Sequence, residues 1–129
     1  MEIKVFNRST ISNKRAYEPC VHISKGGVIS FNKEACESLS LGAHNNISFA
    51  QDSKNPRDWY FFRDTAGVPL RKMKGKESIL ICNAKIVRDQ IFNSVGSTSK
   101  SGSMRFAIAT EPTQHNELIM WAILTSKQL

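Results

Sequence analysis

Apolar and polar positions recur along this chain in one phrase that is stated twice: an apolar strand, an asparagine, a helical stretch and two further strands. The first statement runs through Val28-Ile-Ser-Phe31, Asn32, a short helical stretch to Leu41, Ile47-Ser-Phe-Ala50 and Trp59-Tyr-Phe-Phe62. The second runs through Ile79-Leu-Ile-Cys82, Asn83, a longer helical stretch to Val95, Met104-Arg-Phe-Ala-Ile108 and Leu118 to Leu124. Two matched β-α-β-β units in a small chain predict a fused pseudo-dimer that closes a single core. The expected class is α+β, with more sheet than helix.

The flanking segments add detail. Glu2-Ile-Lys-Val-Phe6 alternates like a half-buried strand, and Asn7 to Pro19 reads as a polar loop. Cys20-Val-His-Ile-Ser24 is the next strand, and Lys25-Gly26-Gly27 supplies a turn in which glycine can adopt positive φ. Asn32 suits a helix N-cap, Ala35, Cys36 and Leu39 share one face, and Gly42 is the expected stop. In the second unit Ala84, Val87, Ile91 and Val95 form a longer helical stripe, and Ser97 to Ser103 is compositionally a loop.

At 129 residues with 40% hydrophobic content, the chain is the right size for one domain spanning 1–129. The first repeat covers 20–64, a basic connection 65–78, and the second repeat 79–126. No apolar run approaches the roughly 20 residues that cross a bilayer, and no signal-peptide core follows Met1, so no membrane association is expected. Cys20, Cys36 and Cys82 form an odd count without a C-x-x-C pair, which fits a reducing, cytoplasmic setting. The net charge is +7, and its placement matters more than its size. Residues 21–64 carry five basic and five acidic side chains, whereas residues 65–78 carry four basic and one acidic. Residues 1–20 add four basic against two acidic. Most of the excess lies outside the repeats, on the N-terminal arm and the connection, and favours a polyanionic partner.

Within the first repeat, Gly27-Val-Ile-Ser-Phe-Asn-Lys-Glu34, Leu39-Ser-Leu41 and Asn46-Ile-Ser-Phe-Ala-Gln-Asp52 together resemble the AbrB and SpoVT type of swapped-hairpin transcription regulator. The resemblance covers 27–52 and implies a swapped-hairpin-like barrel or sheet, DNA binding, and a second half that stands in for a second subunit. Asn32 replaces the family's usual proline at the helix start, and both suit a helix N-terminus. Val28, Cys36 and Glu37 occupy positions where the family often carries basic residues, so those DNA contacts do not transfer.

The residues expected to contact nucleic acid are therefore basic ones outside that pattern: Arg71, Lys72, Lys74 and Lys76 on a glycine-bounded loop, extended by Lys14, Arg15 and Lys25. The same charges also suit an ordinary solvated connection. Gly67 to Ser78 is not a phosphate-binding P-loop, because seven residues separate its glycines and Glu77 follows Lys76. Trp59 to Phe62 fits either a core strand or a base-stacking platform, and its continuity favours core. Cys20-Val-His22 is the only close Cys/His pair, and no nucleophile elbow, metal-binding helix or carboxylate pair stands out. The expectation is a non-enzymatic protein without cofactor that binds DNA or RNA, a small regulator in the fullest form of that reading. The alternative is a structural or assembly module, with a homo-oligomer open in either case.

Overall fold

A computed structural model describes residues 18–96, 102–126, 128 and 129. The predicted strand Glu2–Phe6, together with Lys14 and Arg15 and most of the loop after Val95, lies outside the described residues. Among the described residues ten strands form two five-stranded antiparallel sheets, accompanied by two helices. The first sheet combines β1 (Cys20–Ile23), β2 (Val28–Phe31), β6 (Arg71–Met73), β7 (Lys76–Asn83) and β8 (Met104–Ala107), in the order β6-β7-β2-β1-β8. The second combines β3 (Asn46–Gln51), β4 (Trp59–Arg63), β5 (Val68–Pro69), β9 (Thr113–His115) and β10 (Leu118–Ile123), in the order β5-β3-β4-β10-β9. The architecture is α+β with sheet predominating.

Alternation along the strands builds the core. Val21, Ile23, Ile29, Phe31, Leu80, Cys82, Met104 and Phe106 point inward from the first sheet, while Ile47, Trp59, Phe61 and Ile123 do so from the second. Phe31 and Phe61 meet across the two sheets with ring centroids 5.0 Å apart, and Phe61 also stacks on Trp121 at 6.0 Å. Each fully buried side chain of this size contributes about 1.5–3 kcal/mol. The aromatic run therefore divides by face: Trp59 and Phe61 are buried, and Tyr60 and Phe62 are half-buried on the other side.

The two sheets are stitched together at both margins. Beyond β8, Ile108 bridges to Ile123, with amides of Ala109 and Leu124 donating to carbonyls of Ala122 and Ala107. On the opposite margin only Leu70 separates β5 from β6, and its amide donates to the Asn45 carbonyl. Hydrogen bonding thus passes from one sheet to the other on each side.

The helices depart from expectation in two places. Helix α1 (Lys33–Ser38) is capped by Asn32, whose side chain accepts from the Ala35 amide at 2.9 Å. It ends before Gly42: Ser40 takes φ +53, and the amides of Ser40 and Leu41 close back onto the carbonyls of Glu37 and Cys36. This is a Schellman closure with serine in the left-handed position, and the buried Leu41 side chain is what the closure secures. Helix α2 (Lys85–Val95) has Ala84 at its N-cap with no side-chain bond, so the asparagine cap occurs once. Asn83 instead remains in β7, because that strand runs one residue further than the sequence pattern indicates. On α2 the apolar stripe buries Ile91, and Arg88 is buried beside it with its guanidinium over the Phe92 ring and bonded to Asp89 and the Gly102 carbonyl.

Candidate functional site

The basic connection is not a loop. Arg71, Lys72 and Met73 pair with Ile81, Leu80 and Lys76 as a β-hairpin around the two-residue turn Lys74-Gly75, with a bulge at Glu77 to Ile79 and Gly75 at φ +82. Gly75 permits the tight reversal, and a ribbon with exposed Lys74, Lys76, Glu77 and Ser78 extends past the end of the sheet. The segment is therefore pre-ordered, and its charges have fixed directions.

Those directions separate the predicted residues. Arg71 stands beside Ile81 on the outer face of the sheet and donates to Asn83 Oδ1 at 3.3 Å. Lys72 stands beside Leu80 on the opposite face, in a groove of about 250 Å³ shared with Lys33, Glu37 and Glu77. Glu37 and Glu77 line this groove together with a second cation, Lys33, to which Glu37 is paired. Lys25 lies at the far end of the first sheet, in the β1–β2 turn, because β2 runs antiparallel to β7 and the Gly27 carbonyl accepts from the Ala84 amide. The eight residues of β7, about 24 Å at 3.4 Å per residue, separate that end from the hairpin tip. Lys25 packs beside Gly102 and Arg88 rather than beside Lys74 and Lys76. Lys14 and Arg15 fall outside the described residues.

A second set of polar groups, absent from the sequence expectation, gathers on the outer face of the first sheet. Register places Arg105 beside His22, His22 beside Ser30, Ser30 beside Ile81, and Ile81 beside Arg71. One transverse row therefore crosses all five strands with an arginine at either end. Between Arg105 and the hairpin lies a cleft of about 450 Å³ floored by Cys20, His22, Ser30, Asn32 and Ile79, with Lys33 and Glu34 at one end and Lys76 on the rim. The outward position of Arg105 follows from the alternation Met104, Arg105, Phe106. Its adjacency to His22 comes from pairing between strands some 80 residues apart, which no local signal records.

Electrostatics distinguish the groups. Burial, and then Arg105 beside it, holds His22 below the ordinary histidine value and so favours the neutral ring. Burial pushes the Cys20 and Cys36 thiols up, and the Cys82 thiol up to about 12. All three are buried protonated thiols, unsuited to nucleophilic work. Among the described residues the ion pairs are Lys33–Glu37, Lys85–Asp89 and Arg88–Asp89, which leaves Arg71, Lys72, Lys74, Lys76 and Arg105 without a carboxylate partner there. No three His, Cys, Asp or Glu side chains among the described residues converge to hold a metal ion. No helix among them is long and apolar enough to cross a membrane.

No known protein family, no curated protein and no solved structure matches this chain.

Proposed function

We propose that this chain is a non-enzymatic nucleic-acid-binding domain of swapped-hairpin type, in which two halves of one chain take the places of two subunits. The observation that carries the functional part is the β6–β7 ribbon, which presents Arg71, Lys74 and Lys76 with no carboxylate partner among the described residues. A two-stranded ribbon fits the major groove of duplex DNA, and cations carried on an ordered hairpin contact phosphates at little further backbone ordering cost. Lys72 belongs to the same ribbon but has weaker claims, because Glu77 and Glu37 lie beside it.

The fused-dimer part rests on strand register. Matching Val28–Phe31 with Ile79–Cys82 makes Ser30 the counterpart of Ile81, and their cross-strand pair then maps onto itself. Under the same match, Phe31 beside Leu80 maps onto Cys82 beside Ile29. In the second sheet Phe61 beside Trp121 is likewise its own counterpart, which equates Arg63 with Ile123. Ile47 beside Arg63 then corresponds to Ile108 beside Ile123, and Asn46 beside Pro69 to Ala107 beside Cys20. A two-fold relation between halves requires this reciprocity, with i meeting j wherever j meets i. It supports the likeness to AbrB-type regulators carried by residues 27–52. Both margins stitched by hydrogen bonds fit a closed barrel.

The test is a salt titration of binding to single- and double-stranded probes by fluorescence anisotropy, from about 50 to about 200 mM salt. Affinity is expected to fall linearly on a log-log plot. Changing Arg71, Lys72, Lys74 and Lys76 to Ala should make the slope shallower by about 0.9 for each duplex phosphate that the variant no longer neutralises. An unchanged slope removes the ribbon from the interface, and no binding at the lowest salt ends the reading. One observation favours assembly as a second reading: β9 has a neighbour on one side only, and Leu118 and Ile119 on the adjoining strand are 37% and 53% exposed. Concentration-dependent light scattering without nucleic-acid binding would support that reading instead.

A further inference from the structure

The cleft on the outer face of the first sheet has a composition that the ribbon does not need. We infer that it is a binding site for the phosphate group of a small phosphorylated ligand, held between Arg105, His22, Lys76 and Lys33. This goes beyond the nucleic-acid reading and does not rest on it.

Four elements supply these groups. Arg105 comes from β8, His22 from β1, Lys76 from β7 and Lys33 from the start of α1, and all of them line the same cavity of about 450 Å³. Directly opposed antiparallel residues hold their Cβ atoms about 5 Å apart, so the Arg105, His22 and Ser30 side chains stand side by side. An arginine fork, an imidazole and a hydroxyl in one row match the several oxygens of a phosphate. Among the described residues Glu34 is the only carboxylate lining the cleft, which it shares with Arg105, Lys76 and Lys33. The Arg105 and Lys76 heads and the His22 ring have no hydrogen-bond or ion-pair partner among the described residues. The size is ample for a phosphate with part of an attached group.

His22 provides the readout. It faces Arg105 and Ser30 directly, with Lys76, Lys33 and Glu34 around the rest of the cleft. Burial and Arg105 favour its neutral form in the free protein. A dianion seated between His22 and Arg105 screens that arginine and stabilises the imidazolium, so binding must raise the midpoint of His22 titration.

The experiment follows the His22 ring protons by NMR in phosphate-free buffer while inorganic phosphate, adenosine monophosphate, citrate or an oligonucleotide without terminal phosphates is added. Inorganic phosphate and adenosine monophosphate are expected to saturate and to raise the His22 midpoint, with adenosine monophosphate the tighter if the group attached to the phosphate also occupies the cleft. Arg105→Ala, an exposed position whose loss leaves the core intact, should weaken both by about tenfold or more, as expected for one charge-assisted hydrogen bond. Arg71→Ala, at the other end of the row, should leave them unchanged. An unmoved His22 midpoint at about 10 mM of either phosphate compound, well above a millimolar Kd, overturns the proposal. So does equal weakening by Arg71→Ala, which marks diffuse charge, or binding of citrate as tight as that of phosphate. If the oligonucleotide raises the midpoint as strongly as adenosine monophosphate, the small-ligand assignment falls and the cleft joins a nucleic-acid path. Anisotropy of the ribbon variant judges the nucleic-acid reading separately.

Discussion

Asn32 and Asn83 occupy matching places in the repeated phrase, yet replacing each by alanine should have very different consequences. Asn32 Oδ1 accepts from the amides of Ala35 at 2.9 Å and Cys20 at 3.0 Å, and its Nδ2 donates to the Glu18 carbonyl at 2.7 Å and to Cys20 Sγ at 3.1 Å. One half-buried side chain thereby caps α1 and closes the end of the β1–β2 ladder. Losing the cap costs about 1 kcal/mol. Leaving the amide of Cys20, a residue only 8% exposed, without a partner adds about 1–3 kcal/mol. Asn32→Ala should therefore lose about 2–4 kcal/mol, whereas Asn83→Ala, which loses one exposed bond to Arg71, should stay within about 0.5 kcal/mol. Asn32→Asp keeps the acceptor and loses both donors, so its effect should be intermediate. Urea unfolding followed by the fluorescence of Trp59 and Trp121 measures all three. With an m-value of about 1.5–2 kcal/mol/M, the Asn32→Ala midpoint should drop by roughly 1–3 M without a change in slope. Equal losses for Asn32→Ala and Asn83→Ala would refute the assignment of different roles.

Two further outcomes follow from local geometry. Gly27 takes φ +92, and a Cβ there would come within 2.5 Å of the Lys85 Cα, so Gly27→Ala should cost more than about 2 kcal/mol in the same urea assay; Gly26→Ala, with open space around it, should cost under about 1. Ser48 Oγ at 2.8 Å, first, and the Ala66 amide at 3.0 Å, second, hold the Asp64 carboxyl below the ordinary carboxylate value. The stability it contributes is present above the unfolded value near pH 4 and is lost as pH falls through the lower folded value. The stability gap between the parent and Asp64→Asn should accordingly be constant near neutrality and close on acidification; a gap independent of pH refutes this role.

The strands were legible wherever period-two alternation met a buried face. Met104 and Phe106, which alternate with Arg105 and Ala107, and Ile47, which precedes Ser48, were readable as inward positions because burial acts on each strand separately. The turn at Gly27 and the cap at Asn32 were readable for the same reason: each depends on a few neighbouring residues. The hairpin within 65–78 was hidden because its strand Arg71-Lys-Met73 is largely polar on both faces and is specified by its partner β7 rather than by its own pattern. Helix α1 stops at Ser40 rather than Gly42 because packing Leu41 into the core outweighs the preference for glycine at positive φ. Arg88 was unreadable as a buried residue, since the Gly102 carbonyl, the Phe92 ring and the Asp89 carboxylate together make that burial tolerable.

By itself the sequence determined the α+β composition, the inward faces of the main strands and the concentration of positive charge in the connection, all of which are properties of short windows. Tertiary structure decided which charges share a surface. Pairing of β1 with β8 brings Arg105 to His22, and pairing of β2 with β7 carries Lys25 away from Lys74 and Lys76. Antiparallel register sets both separations, and register depends on how distant strands bury their apolar faces together, an interaction that no contiguous stretch of the chain contains.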